Sequence, residues 1–263
     1  MNSILNLERV DLFGITLHNV TMREALNAIR QFVEGGGKHF VTTPNVDHIV
    51  RLRKDPEFRD AYRKASLVLA DGMPVLWASR LLGRPLKERV AGSDLLVPVC
   101  QLAEEKGYSV YFLGGENGVA EKAIARLKQN FPSLRVAGHY APPFGFENDA
   151  KENQKIVRQI NQVNPDFLFV ALGAPKQEKW TARYLSELHV KVALCVGASV
   201  DFIAGVAKRA PRWMREMGLE WFWRLIQEPG RLWRRYLVQD AAFFVLFFDE
   251  WFRLRPGKGT AQR

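Results

Sequence analysis

Between Thr21 and Ala198 the chain alternates apolar, strand-length runs with amphipathic helical stretches, and this alternation leaves few architectures open. KHFVTTPN, SLVLAD, YSVYFLGG, LRVAGHYA, DFLFVALG and VKVALCVGA read as strands. Between them, TMREALNAIRQFVEGGG, GMPVLWASRLLG, SDLLVPVCQLAEEKG, GVAEKAIARLKQNF, DAKENQKIVRQINQVN and PKQEKWTARYLSEL read as helices. VDHIVRLRKDPEFRDAYRKA reads as helical material interrupted at Pro56. Thr21 and Glu24 have the spacing of a capping box. The strands are apolar throughout rather than alternating with polar residues, so both of their faces are covered. The expected class is α/β, with a mostly parallel sheet flanked by helices.

Such sheets bind ligands outside the carboxyl ends of their strands. Polar residues and glycines gather at five of those ends: Thr43 to Asn45, Asp71 and Gly72, Gly114 to Asn117, Gly173 to Gln177, and Gly197 to Asp201. Asp71 stands out because it ends the run SLVLA just before Gly72, Met73 and Pro74 turn the chain. It reads as a cap of the next helix or as a catalytic carboxylate. YFLGGENG reads equally as a tight turn or as a phosphate cradle, since it matches neither GxGxxG nor the phosphate-loop pattern. GASVD lacks the second glycine of a nucleophile elbow, which argues against a serine hydrolase. His48 reads as a helix-face residue. Gln177 is either a capping, solvent-facing residue or a hydrogen-bond partner for a sugar or phosphate.

Beyond Gly205 the alternation stops. The last 59 residues hold 12 Lys or Arg against 6 Asp or Glu, so +6 of the net charge of +10 falls there, with five of the seven tryptophans. The segment reads as two or three helices broken at Pro229 and Gly230, with Phe243, Phe244, Phe247, Phe248 and Trp251 forming an aromatic face. Residues 1–204 are expected to form the α/β core, and residues 205–263 a basic, aromatic-rich helical appendage ending in a disordered PGKGTAQR. AAFFVLFF would span about 12 Å as a helix, against roughly 30 Å of hydrocarbon, so it is not expected to cross a membrane. The N-terminus lacks the basic start and apolar run of a signal peptide. Cys100 and Cys195 read as core thiols of a reducing compartment. Basic residues among aromatics suit nucleic acid or the headgroups of an anionic membrane. No metal-ligand spacing appears, so a diphosphate would have to be neutralised by arginine, from Arg89 or from Arg224, Arg231, Arg234 and Arg235.

In order and spacing, TPNVDHIV, ADGMPVLWASRLLG, ERVAGSDLL, YFLGG, GAPKQEKW and the long segment from GASVDFIAG to RLWRRY resemble the WecG/TagA/CpsF family of bacterial glycosyltransferases, over roughly residues 10 to 240. The resemblance implies a Rossmann-like core with a membrane-associating helical appendage. It also implies an inverting, metal-independent and cofactor-free transfer of a sugar from a UDP-sugar to a polyprenyl-diphosphate-linked sugar. The setting would be the cytoplasmic face of the cell membrane, in cell-surface polysaccharide assembly. By position, Asp71 becomes the general base, and Thr43, Asn45, Arg89 and Gln177 line the pocket. The glycines Gly114 and Gly115 and the carboxylate Asp201 join the substrate-binding set, and Arg224, Arg231 and Arg234 complete the site from the appendage. The donor sugar stays open among N-acetylmannosamine, its uronic acid, glucose and galactose. The expected partners are donor, lipid-linked acceptor and an anionic membrane surface but no nucleic acid, with self-association into a homo-oligomer left open. The competing readings are a nucleic-acid-binding protein using the basic tail, and a nucleotide-dependent oxidoreductase, which lacks its GxGxxG fingerprint.

Overall fold

The computed structural model describes residues 7–234 and 240–254, apart from the side chain of residue 231. Arg235 and the expected disordered end, PGKGTAQR, lie outside the described residues. The chain opens with a hairpin that the sequence reading left unassigned, β1 (Arg9–Leu12) and β2 (Ile15–His18), paired antiparallel. Its two-residue turn puts Phe13 at φ 55° and Gly14 at φ 78°. Two successive positive φ values match the twist of a tight hairpin.

The remaining elements follow as α1 (Met22–Gly35), β3 (His39–Thr42), α2 (Val46–Leu52), α3 (Pro56–Lys64), β4 (Leu67–Val68), α4 (Met73–Leu81) and α5 (Gly92–Lys106). Next come β5 (Ser109–Gly114), α6 (Val119–Asn130), β6 (Arg135–Tyr140), α7 (Ala150–Val163), β7 (Phe167–Ala171), α8 (Lys176–Tyr184), β8 (Val192–Cys195) and α9 (Ser199–Ala204). Six strands form one parallel sheet in the order β4-β3-β8-β7-β5-β6. The capping box at Thr21 and Glu24 is present, and Pro56 opens α3 rather than merely interrupting a helix. Both cysteines are buried free thiols.

SLVLAD is a strand for two residues only. Past Val68 its neighbour β3 has ended and continues into Pro44, which has no N–H to donate. Single hydrogen bonds take over: Leu69 N–H to the Thr42 carbonyl at 2.9 Å and Asp71 N–H to the Pro44 carbonyl at 2.9 Å. Asp71 is thereby fixed beside the end of β3 although it lies outside the ladder.

On one face of the sheet α1, α5, α6 and α9 bury residues such as Ile29, Leu96, Ala123 and Val200 against Phe112, Phe167 and Phe169. On the other, α7 and α8 pack Ile156, Ile160 and Trp180 against Leu168, Val170 and Ala193, with α3 lying against α8. The chain therefore leaves the adjacent strands β3 and β8 toward opposite faces. That divergence opens a crevice at their carboxyl ends, where ligands of such sheets bind.

Beyond Gly205 the described residues form four helices rather than two or three: α10 (Arg212–Glu216), α11 (Glu220–Gln227), α12 (Pro229–Arg234) and α13 (Ala242–Leu254). The unforeseen break falls at Gly218, with φ +70°, where a Cβ would come within 2.7 Å of both the Met73 Cβ and the Trp77 ring. Only glycine lets this turn sit so close to α4. The second break falls at Glu228, and Pro229 starts the next helix instead of ending the last. The aromatic helix α13 folds back onto the hairpin. Phe243 is buried with ring centroids 5.1 Å from Phe13, and Arg53 reaches Asp249 at 2.7 Å.

Candidate active site

The crevice is built on close backbone approach. A Cβ on Gly92, the first residue of α5, would stand 3.2 Å from Thr43 Oγ1, 3.3 Å from the Cys195 carbonyl oxygen and 3.3 Å from the Val196 Cα. Glycine at this position lets α5 start against the ends of β3 and β8. Asn45 caps α2, accepting from His48 N–H at 3.3 Å, and its Cβ lies 3.9 Å from where a Cβ on Gly72 would be. Gly72, at φ +97°, is the N-cap residue of α4, and no side chain caps that helix. The capping role considered for Asp71 is therefore absent, and its carboxylate is free to face the crevice.

Asp71 Oδ1 lies 3.6 Å from Arg89 Nη1, with a quarter of the aspartate side chain accessible. Burial raises its pKa from 3.8 to about 7. Arg89 pulls the other way, Glu220 and Asp94 add to the rise, and Arg209 opposes it. Around Arg89 the charges alternate. Arg89 Nη2 donates to Asp94 Oδ2 at 2.6 Å, and Asp94 Oδ1 takes Arg209 at 2.7 Å and Arg215 at 3.1 Å. Glu220, from the first turn of α11, stands 3.9 Å from Arg89 and 3.6 Å from Arg209. Arg209 also donates to Ser93 Oγ at 2.7 Å. A cleft of about 290 Å³ opens beside this cluster, lined by Arg89, Asp94 and Arg215 among others.

Gln177 is buried and engaged at both ends. Its Oε1 accepts Gly197 N–H at 3.1 Å, and its Nε2 donates to Glu178 Oε1 at 2.7 Å. It thus ties α8 to the loop after β8 and does not face solvent. Glu178 is fully buried, and burial raises its pKa from 4.5 to about 7. His48, on the buried face of α2, places Nδ1 2.6 Å from the Tyr62 hydroxyl.

Of the other expected residues, Gly114 has a packing reason for being glycine. At φ +110°, a Cβ there would lie 2.3 Å from the Ala171 carbonyl oxygen, to which Gly115 N–H donates at 3.1 Å. Asp201 sits in α9, where its carbonyl accepts from Gly205, Val206 and Ala207. Arg224 lies over the Phe202 ring, 5.6 Å from its centroid, and Arg234 is exposed on α12. The side chain of Arg231 is outside the described residues. The structure thus unites Asp71 and Arg89, with Thr43 and Asn45 at the neighbouring strand end. The sequence reading did not single out Asp94, Arg209, Arg215 or Glu220. The arginines of KRAPRWMRE had only a basic, aromatic segment to mark them, and nothing local in that segment points toward Asp94.

Among the described residues, no group of three or more His, Cys, Asp or Glu side chains is placed to hold a metal ion. No helix among them is long and apolar enough to cross a membrane.

Residues 10–257 match the family described as Glycosyl transferase WecG/TagA/CpsF. The chain is similar to proteins of Staphylococcus aureus strains MRSA252 and MW2 named N-acetylglucosaminyldiphosphoundecaprenol N-acetyl-beta-D-mannosaminyltransferase. Each is 30% identical over 231 residues, which cover 87% of this chain and 89% of the relative. With a match over nearly its whole length and a strand-end crevice holding a carboxylate against arginines, the chain belongs to the WecG/TagA/CpsF family of glycosyl transferases.

Proposed function

We propose that the protein transfers a sugar from a UDP-sugar to a polyprenyl-diphosphate-linked sugar with inversion, and that Asp71 takes the proton of the acceptor hydroxyl. The observation that carries this reading is the Asp71 carboxylate itself, accessible at the crevice, tuned to about 7 and 3.6 Å from Arg89. A base works best with a pKa near the operating pH, and such proton transfer contributes about 10²- to 10⁴-fold in rate. As the sugar leaves UDP, charge grows on the diphosphate. Arg89, with Arg209 and Arg215, provides fixed positive charge beside the base. The names of the relatives favour N-acetylmannosamine as the sugar and a lipid-linked N-acetylglucosamine as the acceptor, over the uronic acid or a hexose.

The same helices supply a surface for the inner face of the membrane. Phe244, Val245, Phe248 and Phe252 stand exposed on one side of α13 while Phe243, Leu246, Phe247 and Trp251 pack inward. Trp213, Trp221, Phe222, Ile226 and Trp233 are exposed on α10 to α12, and Trp77 and Leu81 on α4 directly after Asp71. Apolar residues on a basic segment suit the headgroup layer of an anionic bilayer. In a UDP-release assay, UDP is expected only when a UDP-sugar and a lipid-linked sugar are both supplied. Phe244→Ser with Phe248→Ser should slow turnover on acceptor in anionic vesicles but not on a short-chain soluble acceptor. UDP release that ignores the acceptor would overturn the reading. Equal turnover of the double variant on both acceptor forms would overturn the membrane surface.

A further inference from the structure

The cluster beside Asp71 sets three guanidinium groups, Arg89, Arg209 and Arg215, against three carboxylates, Asp71, Asp94 and Glu220. The carboxylates are not equivalent. Asp94 touches all three arginines at 2.6 to 3.1 Å and fixes where they stand. Glu220 remains 3.6 and 3.9 Å from the two it faces, outside hydrogen-bond range. Arg209 Nε, which faces Glu220 Oε1 at 3.6 Å, and Arg215 Nε are both buried with no acceptor within hydrogen-bond range. Buried donors of this kind are normally satisfied. The cluster is therefore near balance in charge but short of acceptors.

We propose that Glu220 is a displaceable occupant of an anion cradle formed by Arg89, Arg209 and Arg215, and that the diphosphate of a substrate takes its place and releases α11 from the core. The identity of the ligand rests on the function proposed above; the cradle itself does not. Charge balance supports displacement: a diphosphate added while Glu220 and Asp94 both stayed would leave the three arginines outnumbered. Packing supports it too, because α11 has no buried residue. Among the described residues its side-chain ties, Glu220 and Trp221 apart, are modest. Trp223 and Gln227 donate to the Lys208 carbonyl at 3.1 and 3.0 Å, and Arg224 lies over Phe202. The adjoining cleft of about 290 Å³, lined by Arg89, Arg212 and Arg215 together with Glu88, Asp94 and Glu216, gives the anion a way in.

The test is calorimetric titration of the full chain with inorganic pyrophosphate, with UDP and a short prenyl diphosphate as parallel arms. Glu220→Gln should tighten pyrophosphate binding about tenfold, the scale of removing one partly exposed ionic competitor. Adding Arg215→Gln should cancel that gain. The arm tightened by the same factor identifies the donor or the acceptor as the source of the diphosphate. Unchanged or weaker pyrophosphate binding in Glu220→Gln, or no pyrophosphate binding by either form, overturns the proposal. The unaltered protein gives a second reading that no folding defect can blur. Backbone amides of residues 220–227 should exchange faster with deuterium when pyrophosphate is saturating, and unchanged or slower exchange contradicts the release of α11. None of these measurements uses turnover, so they stand or fall separately from the role of Asp71.

Discussion

Asp71, partly buried, and Glu178, fully buried, both lie near the carboxyl ends of one sheet, and burial is the leading cause that raises each to about 7. Their surroundings separate them. Asp71 keeps a quarter of its side chain accessible and faces a guanidinium. Glu178 is sealed, with one oxygen held by the Gln177 amide, the other unpartnered, and His48 Nδ1 at 4.0 Å. Among the described residues a raised pKa therefore marks two carboxyls, and only access to the crevice tells which one can exchange a proton with a substrate. Perturbed titration is a guide to function that structural networks can imitate.

The comparison predicts unequal consequences for the same chemical change. Asp71→Asn should lower turnover by about 10²- to 10⁴-fold while UDP-sugar binding survives, because the amide keeps the shape and removes the base. Glu178→Gln should cost less than about tenfold in the same assay, since it leaves the crevice groups in place. Equal losses in steady-state kinetics would break the distinction. Arg89→Gln should fall between them, at about 10²-fold, as expected for removing one fixed charge beside a developing anion. Its loss should appear in kcat rather than in folding, measured by turnover and circular dichroism together.

The smallest effect concerns stability. Folded Glu178 keeps its proton up to about 7, while a glutamate in the unfolded chain releases it near 4.5. Between those values the native state binds more protons than the unfolded one, so stability falls as pH rises through that window. Asp71 adds the same sign between 3.8 and about 7. Buried His18, lowered from 6.5 to about 4, contributes the opposite sign between those values and offsets part of the decline. Glu178→Gln removes one of the two carboxyl contributions. It should flatten the decline in thermal midpoint between pH 5 and pH 8, by an amount on the order of 3 kcal/mol at most. A wild-type midpoint that rises over that range would contradict the assigned burial.

Most of the sheet was readable because its strands are continuous apolar runs between amphipathic helices, and strand ends in such folds bind ligands. Asp71 and Arg89 could be named on motif and position. The hairpin at Phe13 and Gly14 was missed although RVDLFGITLH alternates around a glycine turn, since phenylalanine rarely accepts positive φ. Arg209, Arg215 and Glu220 were missed for a different reason. Asp94, which pairs with the two arginines, and Arg89, which Glu220 faces, lie more than a hundred residues away, and the turn at Gly218 packs the C-terminal helices against Met73 and Trp77 of α4. The basic excess counted in the sequence looked like a surface property. In the fold, part of it faces inward on Asp94 and Glu220.

The central claim is that the titrating group of the reaction is Asp71 and not its sealed counterpart. The most direct measurement is the pH dependence of kcat/KM for the wild type and for Glu178→Gln. The account predicts activity rising through an acid limb near pH 7 in both proteins, because Asp71 must lose its proton to act. An acid limb that disappears in Glu178→Gln would contradict it and assign the titration to the buried glutamate.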